Sequence, residues 1–234
     1  MIANALRVDI DQYAATLRTQ NALFVKTLQG TLAKSEIVSY LANIREIIIQ
    51  AQDAMIFASK QARARNDVAL AEWFAHKQVE EKGHDTWAVR DISQVRSDDS
   101  GTQLAFSSQV VPAIRELVAN NLAVIDEDPA LYLTYTLFTE YLTVIAGPEW
   151  LSILEERCHV PRAAMTVVGN HIELDKDHVE EALESIDRLV TDPKKLARMR
   201  EVLKQHMTFF DEFCLQITSE AHVEPQRATN RPAA

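Results

Sequence analysis

Apolar residues recur every three or four positions along most of the chain, the spacing that lines one face of an α-helix. Interruptions in the pattern divide it into about seven helices. The first runs from Asp9 to Gln29 and stops at Gly30, a residue suited to a helix end. Ser35 can cap the second, which continues through Ile37 to Ala64, and Asn66 or Asp67 can cap a third that runs from Leu70 to Ile92. Residues 97–109 read as a loop. A fourth helix spans Pro112 to Ile125, with proline where a missing N–H is harmless. Asp128-Pro129 restarts the chain in a fifth, covering 130–146, which Gly147-Pro148 bends or ends. Pro161 opens a sixth that reaches Leu189, and Asp192-Pro193 opens the seventh. The pattern predicts an all-α fold in a single domain over residues 1–220, with a disordered tail from 221 to 234.

Composition agrees with long helices joined by few turns, since only 5 Gly and 7 Pro punctuate 234 residues. A formal net charge of -10 argues against an electrostatic grip on nucleic acid or an anionic membrane surface, both of which need concentrated positive charge. A small-molecule or protein partner is expected instead. Cys158 and Cys214 form no CxxC pair, so neither a disulfide framework nor a zinc ribbon is indicated. The first residues lack the basic and apolar regions of a signal peptide, and no stretch is apolar enough to span a membrane. The expected location is cytoplasmic.

Candidate chemistry is concentrated in a few segments. In HIELDKDH, His171, Asp175 and His178 stand at i, i+4 and i+7 and share a helix face about 60° wide. Ala164, Val167, Val168 and Ala182 make the rest of that face apolar, whereas Glu173, Lys176, Asp177, Glu180 and Glu184 take the other side. Ionisable groups on a core stripe carry a desolvation cost unless they are paired or bind metal. A buried His-Asp-His hydrogen-bond chain would meet that need as a metal ion would.

In HKQVEEKGHD, Glu81 and His84 have the Glu-x-x-His spacing that lets two side chains of one helical turn reach a single metal, with Glu80 as the rival carboxylate. Phe74, Val79, Trp87 and Val89 suggest that parts of this helix are buried, and His76 is either a pocket residue or a surface one. Glu140 interrupts the apolar stripe of TLFTEYLTV and needs a partner from elsewhere in the fold. Glu46 shares a narrow polar stripe with Asn43, Gln50 and Asp53 that faces either solvent or a pocket. Tyr40, Tyr135 and Tyr141 are candidate pocket or packing residues. Several His with several carboxylates form a ligand set suited to iron or manganese, and less naturally to zinc.

The series Glu46, Glu81, His84, Glu140, His171, Asp175 and His178 resembles the ligand series of the heme-oxygenase-like diiron oxidases, a branch of the superfamily that also holds heme oxygenase, the TenA proteins, PqqC and the CADD-like proteins. The likeness runs from about residue 35 to about residue 190. It implies a seven-helix bundle, often dimeric, that binds two irons and uses O2 to oxidise a small organic substrate by N-oxygenation, C–C cleavage or a related step. It further implies Glu81 and Glu140 as bridging ligands, His84, His171 and His178 as terminal donors, and Asp175 as a ligand or the orienter of a histidine. Glu46 completes the set if it faces inward.

Neighbouring families depart from this sequence. A ferritin-like diiron protein takes ligands from two Glu-x-x-His motifs on core helices, and the motif identified among the candidate site segments is Glu81-His84. TenA-type thiaminase chemistry needs a cysteine in the segment that corresponds to TLFTEYLTV around Glu140, which has none, and heme oxygenase needs an early histidine, whereas the first here is His76. The alternative is a metal-free enzyme or binding protein of the TenA or PqqC type, in which the same groups act as acids and bases.

Overall fold

A computed structural model of the chain describes residues 1–97 and 109–219; the expected tail lies outside them, as does most of the expected loop at 97–109. Ten α-helices and two short 3-10 turns account for its regular structure, and no strand occurs among the described residues. The helix count exceeds seven because two of the segments expected to be continuous are broken.

The first segment begins earlier than Asp9 and is divided into α1 (Ile2–Ala14), α2 (Leu17–Gln20) and α3 (Ala22–Gln29). Its last break is an N-cap: Asn21 is extended, with φ -84° and ψ 127°, and its side-chain oxygen accepts from the N–H groups of Leu23 and Phe24. The Asn21 amide donates to Asp211 at 2.7 Å and the Tyr13 hydroxyl donates to the same carboxylate at 2.9 Å, which pins the broken segment to the C-terminal helix. Gly30 ends α3 in the left-handed region, φ 67°.

The long helix α4 (Lys34–Ala64) starts at Ala33 and not at the expected Ser35 cap. The Glu36 carboxylate accepts from the Ala33 N–H at 2.7 Å and pairs with Lys26, so a carboxylate in the first turn does the capping. Asn43 on α4 is fully buried, and its oxygen accepts from the Val111 N–H at 2.9 Å, just before α7 (Pro112–Glu127) begins. The polar stripe of α4 is therefore in part structural.

The third segment divides into α5 (Val68–Glu80), capped by the Asp67 side chain, and α6 (Asp85–Ser97). Glu81 to His84 form the junction, which turns on Gly83 at φ 91°, a conformation that costs glycine nothing. Of the four apolar residues expected to show burial, Phe74 is fully buried and Trp87 packs against the core, whereas Val79 and Val89 are exposed.

A 3-10 turn at Pro129–Tyr132, capped by Asp128, leads into α8 (Leu133–Cys158). Every residue from Leu131 to Phe138 is buried, as befits a helix surrounded by others. Of the bend or stop expected at Gly147-Pro148, the stop does not occur, since α8 continues past Pro148 to Cys158. Gly147 serves close approach: a Cβ there would lie 2.9 Å from Cδ1 of Ile172 on α9 (Thr166–Leu189). The last of the described helices is α10 (Lys195–Ser219). No helix among the described residues is long and apolar enough to cross a membrane.

Candidate metal centre

The centre forms where the α5–α6 junction, α8 and α9 meet. Because the junction is a turn, Glu81 and His84 do not share a regular helix as their spacing suggested, yet His84 Nδ1 still lies 3.0 Å from Glu81 Oε2. The His84 ring stacks on Trp87, with centroids 4.1 Å apart and planes 19° apart, and meets His171 edge-on.

The α9 face behaves as its pattern predicted. Val167, Val168, Asp175 and Ala182 are buried, while Glu173, Lys176, Asp177, Glu180 and Glu184 are exposed. The start of α9 is held from α6, since the fully buried Asp91 accepts from the Val167 N–H at 2.7 Å and the Thr166 hydroxyl at 2.6 Å. A carboxylate there also complements the positive end of the helix dipole.

His171 Nδ1 donates to the Val167 carbonyl at 2.6 Å, which leaves Nε2 unprotonated in the neutral ring and 3.6 Å from Glu81 Oε2. Such a backbone anchor on one nitrogen is the usual support of a metal-binding histidine. Asp175 lies 3.3 Å from His178 Nδ1 and orients that ring in the same way. Of the two roles open to Asp175, the geometry supports orienter.

Donor atoms within 4.8 Å of one another fall into two groups, Glu81 with His84 and His171, and Glu81 with Glu140 and His178. Glu81, not Glu80, is common to both. The first group, one carboxylate and two imidazoles, suits a single divalent ion such as iron or manganese. In the second group Glu140 Oε2 is buried without a hydrogen-bond partner, and Oε1 is 3.0 Å from the ammonium of Lys77.

Lys77, like the cavity residue His206, is a site residue that the sequence pattern does not reveal. Its side chain is 1% exposed, and its Nζ also lies 3.3 Å from Glu80 Oε2. These contacts are ion pairs with poor hydrogen-bond angles, and Nζ has no hydrogen-bond partner. Its only sequence signal is position: it precedes Glu81 by four and His84 by seven, but so polar a segment reads as a solvated face.

Protonation follows these contacts. Burial pushes the Glu81 carboxyl up, but the neighbouring imidazoles of His171 and His84 outweigh it and hold the group well below the usual carboxylate range. Burial raises Glu140 to about 7 although the Lys77 ammonium opposes the shift. Burial also disfavours the Lys77 charge, but Glu140 and Glu80 prevail and raise its pKa. His171 is raised because Glu81 overcomes burial, and His178 is raised chiefly by its bond with Asp175.

Glu46 does not join either donor group; its carboxylate accepts from Gln50 at 2.8 Å. It lies roughly 140° around α4 from the face of Ile44, Ile47 and Ala51. His76 is an exposed residue, 3.3 Å from Glu80. Tyr40 and Tyr135 line the cavity described next, whereas Tyr141 is not among its lining residues and donates its hydroxyl to Asp11.

A cavity of about 200 Å³ opens beside the centre, with Glu81, Glu140, His171 and Asp175 on its wall. The remaining lining is mostly apolar, from Ile47 and Met55 on α4 to Phe209 and Phe213 on α10. Among the further polar residues on its wall, which include Tyr40, Tyr135 and Thr139, His206 stands out. His206, 1% exposed, shares a hydrogen with Asn121 Oδ1 through Nε2 at 2.9 Å, and its Nδ1 has no partner.

Neither a protein-family model nor a curated protein sequence matches the chain. Solved structures do. A domain of unknown function with a heme oxygenase-like fold from Shewanella denitrificans superposes with a TM-score of 0.82 at 17% identity, covering 99% of this chain and 98% of that one. A TenA homolog from Pseudomonas syringae gives 0.64 at 18% identity over 92% and 93% of the two chains. A CADD-like protein of unknown function from Nostoc punctiforme gives 0.64 at 14% identity over 94% and 98%. The fold is heme-oxygenase-like.

Proposed function

We propose that this heme-oxygenase-like bundle is a metal-dependent oxidoreductase that uses O2 to oxidise a small, largely apolar organic molecule. One observation carries the reading: Glu81, His84 and His171 bring three donor atoms together beside a largely apolar cavity. A donor set of one carboxylate and two imidazoles, with positions left open, suits ferrous iron.

Glu81, His84 and His171 would hold the metal, which when bound would bind O2 beside the substrate and pass to it the electrons that the oxidised substrate gives up. The protein's own groups do the rest. The Val167 carbonyl fixes the His171 tautomer, and Trp87 fixes the plane of His84. The apolar walls exclude water and bind the body of the substrate. Unpartnered Nδ1 of His206 is an acceptor for a substrate hydroxyl or amine, and Glu140 Oε2 is a second acceptor on the same wall. The bound molecule is thereby oriented without a charged clamp.

A metal-free acid–base enzyme is the second reading, favoured by one observation: the ammonium of Lys77 lies 3.0 Å from Glu140 Oε1 and so pairs a site carboxylate with a protein cation. Iron binding separates the two. Protein incubated anaerobically with ferrous iron and then desalted should retain it, and should consume O2 faster than an equally treated His171→Ala protein. Folded wild-type protein that retains neither iron nor manganese would overturn the oxidase reading and leave the metal-free one.

A further inference from the structure

The geometry points to Lys77 as a built-in cation that takes the place of a second metal, so that the centre holds one metal ion beside a fixed ammonium. The inference rests on the metal-dependent reading above and changes its stoichiometry from the two irons that the family resemblance implies.

Two carboxylates and an imidazole, Glu81, Glu140 and His178, could form a second binding group. A cation bound there must use Glu140, and Glu140 Oε1 already faces the Lys77 ammonium at 3.0 Å. The ammonium is no surface group that can swing aside, because its side chain is 1% exposed and is held on its other flank by Glu80 at 3.3 Å. Lys77 lies one helical turn before Glu81, so the regular backbone of α5 delivers it to this spot.

Charge balance leads to the same result. The carboxylates in and around the centre are Glu80, Glu81, Glu140 and Asp175, a total of four negative charges when all are ionised. One divalent ion together with Lys77 nearly offsets them. A second divalent ion would make the centre positive and would set it against an ammonium on the same carboxylate, in surroundings that screen poorly. The first group carries no such obstacle, since the ion-pair partners of Lys77 are Glu80 and Glu140 and neither belongs to it.

Metal counting tests the inference without recourse to activity. Wild-type protein and a Lys77→Met variant, both full length and checked for helicity by circular dichroism, are titrated with Mn(II), and bound metal is counted after desalting. Wild type should saturate at one equivalent and show the resolved electron paramagnetic resonance hyperfine pattern of an isolated ion. Lys77→Met should saturate at two equivalents, with the pattern altered by coupling between neighbouring ions.

Two equivalents in wild type would overturn the inference while leaving the metal-dependent reading intact. One equivalent in both proteins would overturn it too, because Lys77 would not be what excludes the second ion. No binding at all would sink the metal-dependent reading and the inference with it. Should Lys77→Met fail to fold, Lys77→Gln serves in its place, and the wild-type count stands by itself as a test.

Discussion

Asp91 on α6 accepts a hydrogen bond from the backbone N–H of Val167 at 2.7 Å and one from the Thr166 hydroxyl at 2.6 Å, so the helix that follows the Glu81–His84 turn also fixes the start of the helix that carries His171. Both sides of the first donor group therefore depend on one buried carboxylate. Asp91→Ala leaves a buried N–H unpaired and removes charge-assisted bonds, and should lower stability by about 3 kcal/mol. Urea denaturation measures that loss. Metal affinity should fall as well, though Asp91 touches no metal, and Asp91→Asn should retain part of both.

The donor groups make distinct predictions for individual ligands. His84→Ala and His171→Ala should each weaken Mn(II) or Fe(II) binding by about 100-fold or more, since each removes a neutral nitrogen donor. Glu46→Ala should leave affinity unchanged, because Glu46 points away from the centre and engages Gln50. Glu184→Ala, on the exposed face of α9, should be equally silent. Isothermal titration of the four variants distinguishes them, and a large effect at Glu46 would contradict the geometry.

At the α8–α9 contact, Gly147→Ala sets a methyl group 2.9 Å from both Cγ1 and Cδ1 of Ile172. The change should cost about 1–3 kcal/mol by overpacking. In an Ile172→Ala background the same substitution should cost much less, because both opposing carbons are gone. Thermal unfolding of the four proteins in this cycle checks the coupling.

His206 sets a pH dependence of stability. Burial lowers its pKa from 6.5 to about 3, so the folded protein resists a proton that the unfolded chain accepts. The neutral ring's contribution is fully present above the unfolded pKa near 6.5 and is lost progressively as pH falls toward about 3. Just below pH 6, wild type should lose up to about 1.4 kcal/mol more per pH unit than His206→Gln, which cannot titrate. Urea denaturation from pH 7 to pH 4.5 measures the difference, and parallel curves would contradict it.

Much of this architecture was legible in the pattern of apolar positions. The spacing around HIELDKDH placed Val167, Val168, Asp175 and Ala182 on the buried side of α9 and Glu173, Lys176, Asp177, Glu180 and Glu184 on the exposed side, because a helix of 3.6 residues per turn divides its sides whatever it packs against. The starts of α7 and α5 were legible too, since proline at a first turn and Asp67 as a cap act through local backbone bonds. Local rules failed where a distant residue supplied the decisive contact. The Asn21 break is fastened by Asp211, and Gly147, read as a breaker, is the place where Ile172 enters.

An all-helical chain with acids and imidazoles set on apolar stripes follows from local patterning, because periodicity and desolvation cost are properties of residues a few positions apart. Which of those groups meet depends on how the helices pack. Glu46 has the composition of a ligand and is turned away, while Lys77 has the look of a solvated lysine and is buried against Glu140. The physical reason is that the rotation of a helix about its axis, and hence the side of a polar stripe that faces a neighbour, is set by the summed packing of the whole bundle. A cation's partner, and with it the number of metal ions the centre can hold, is decided at that level.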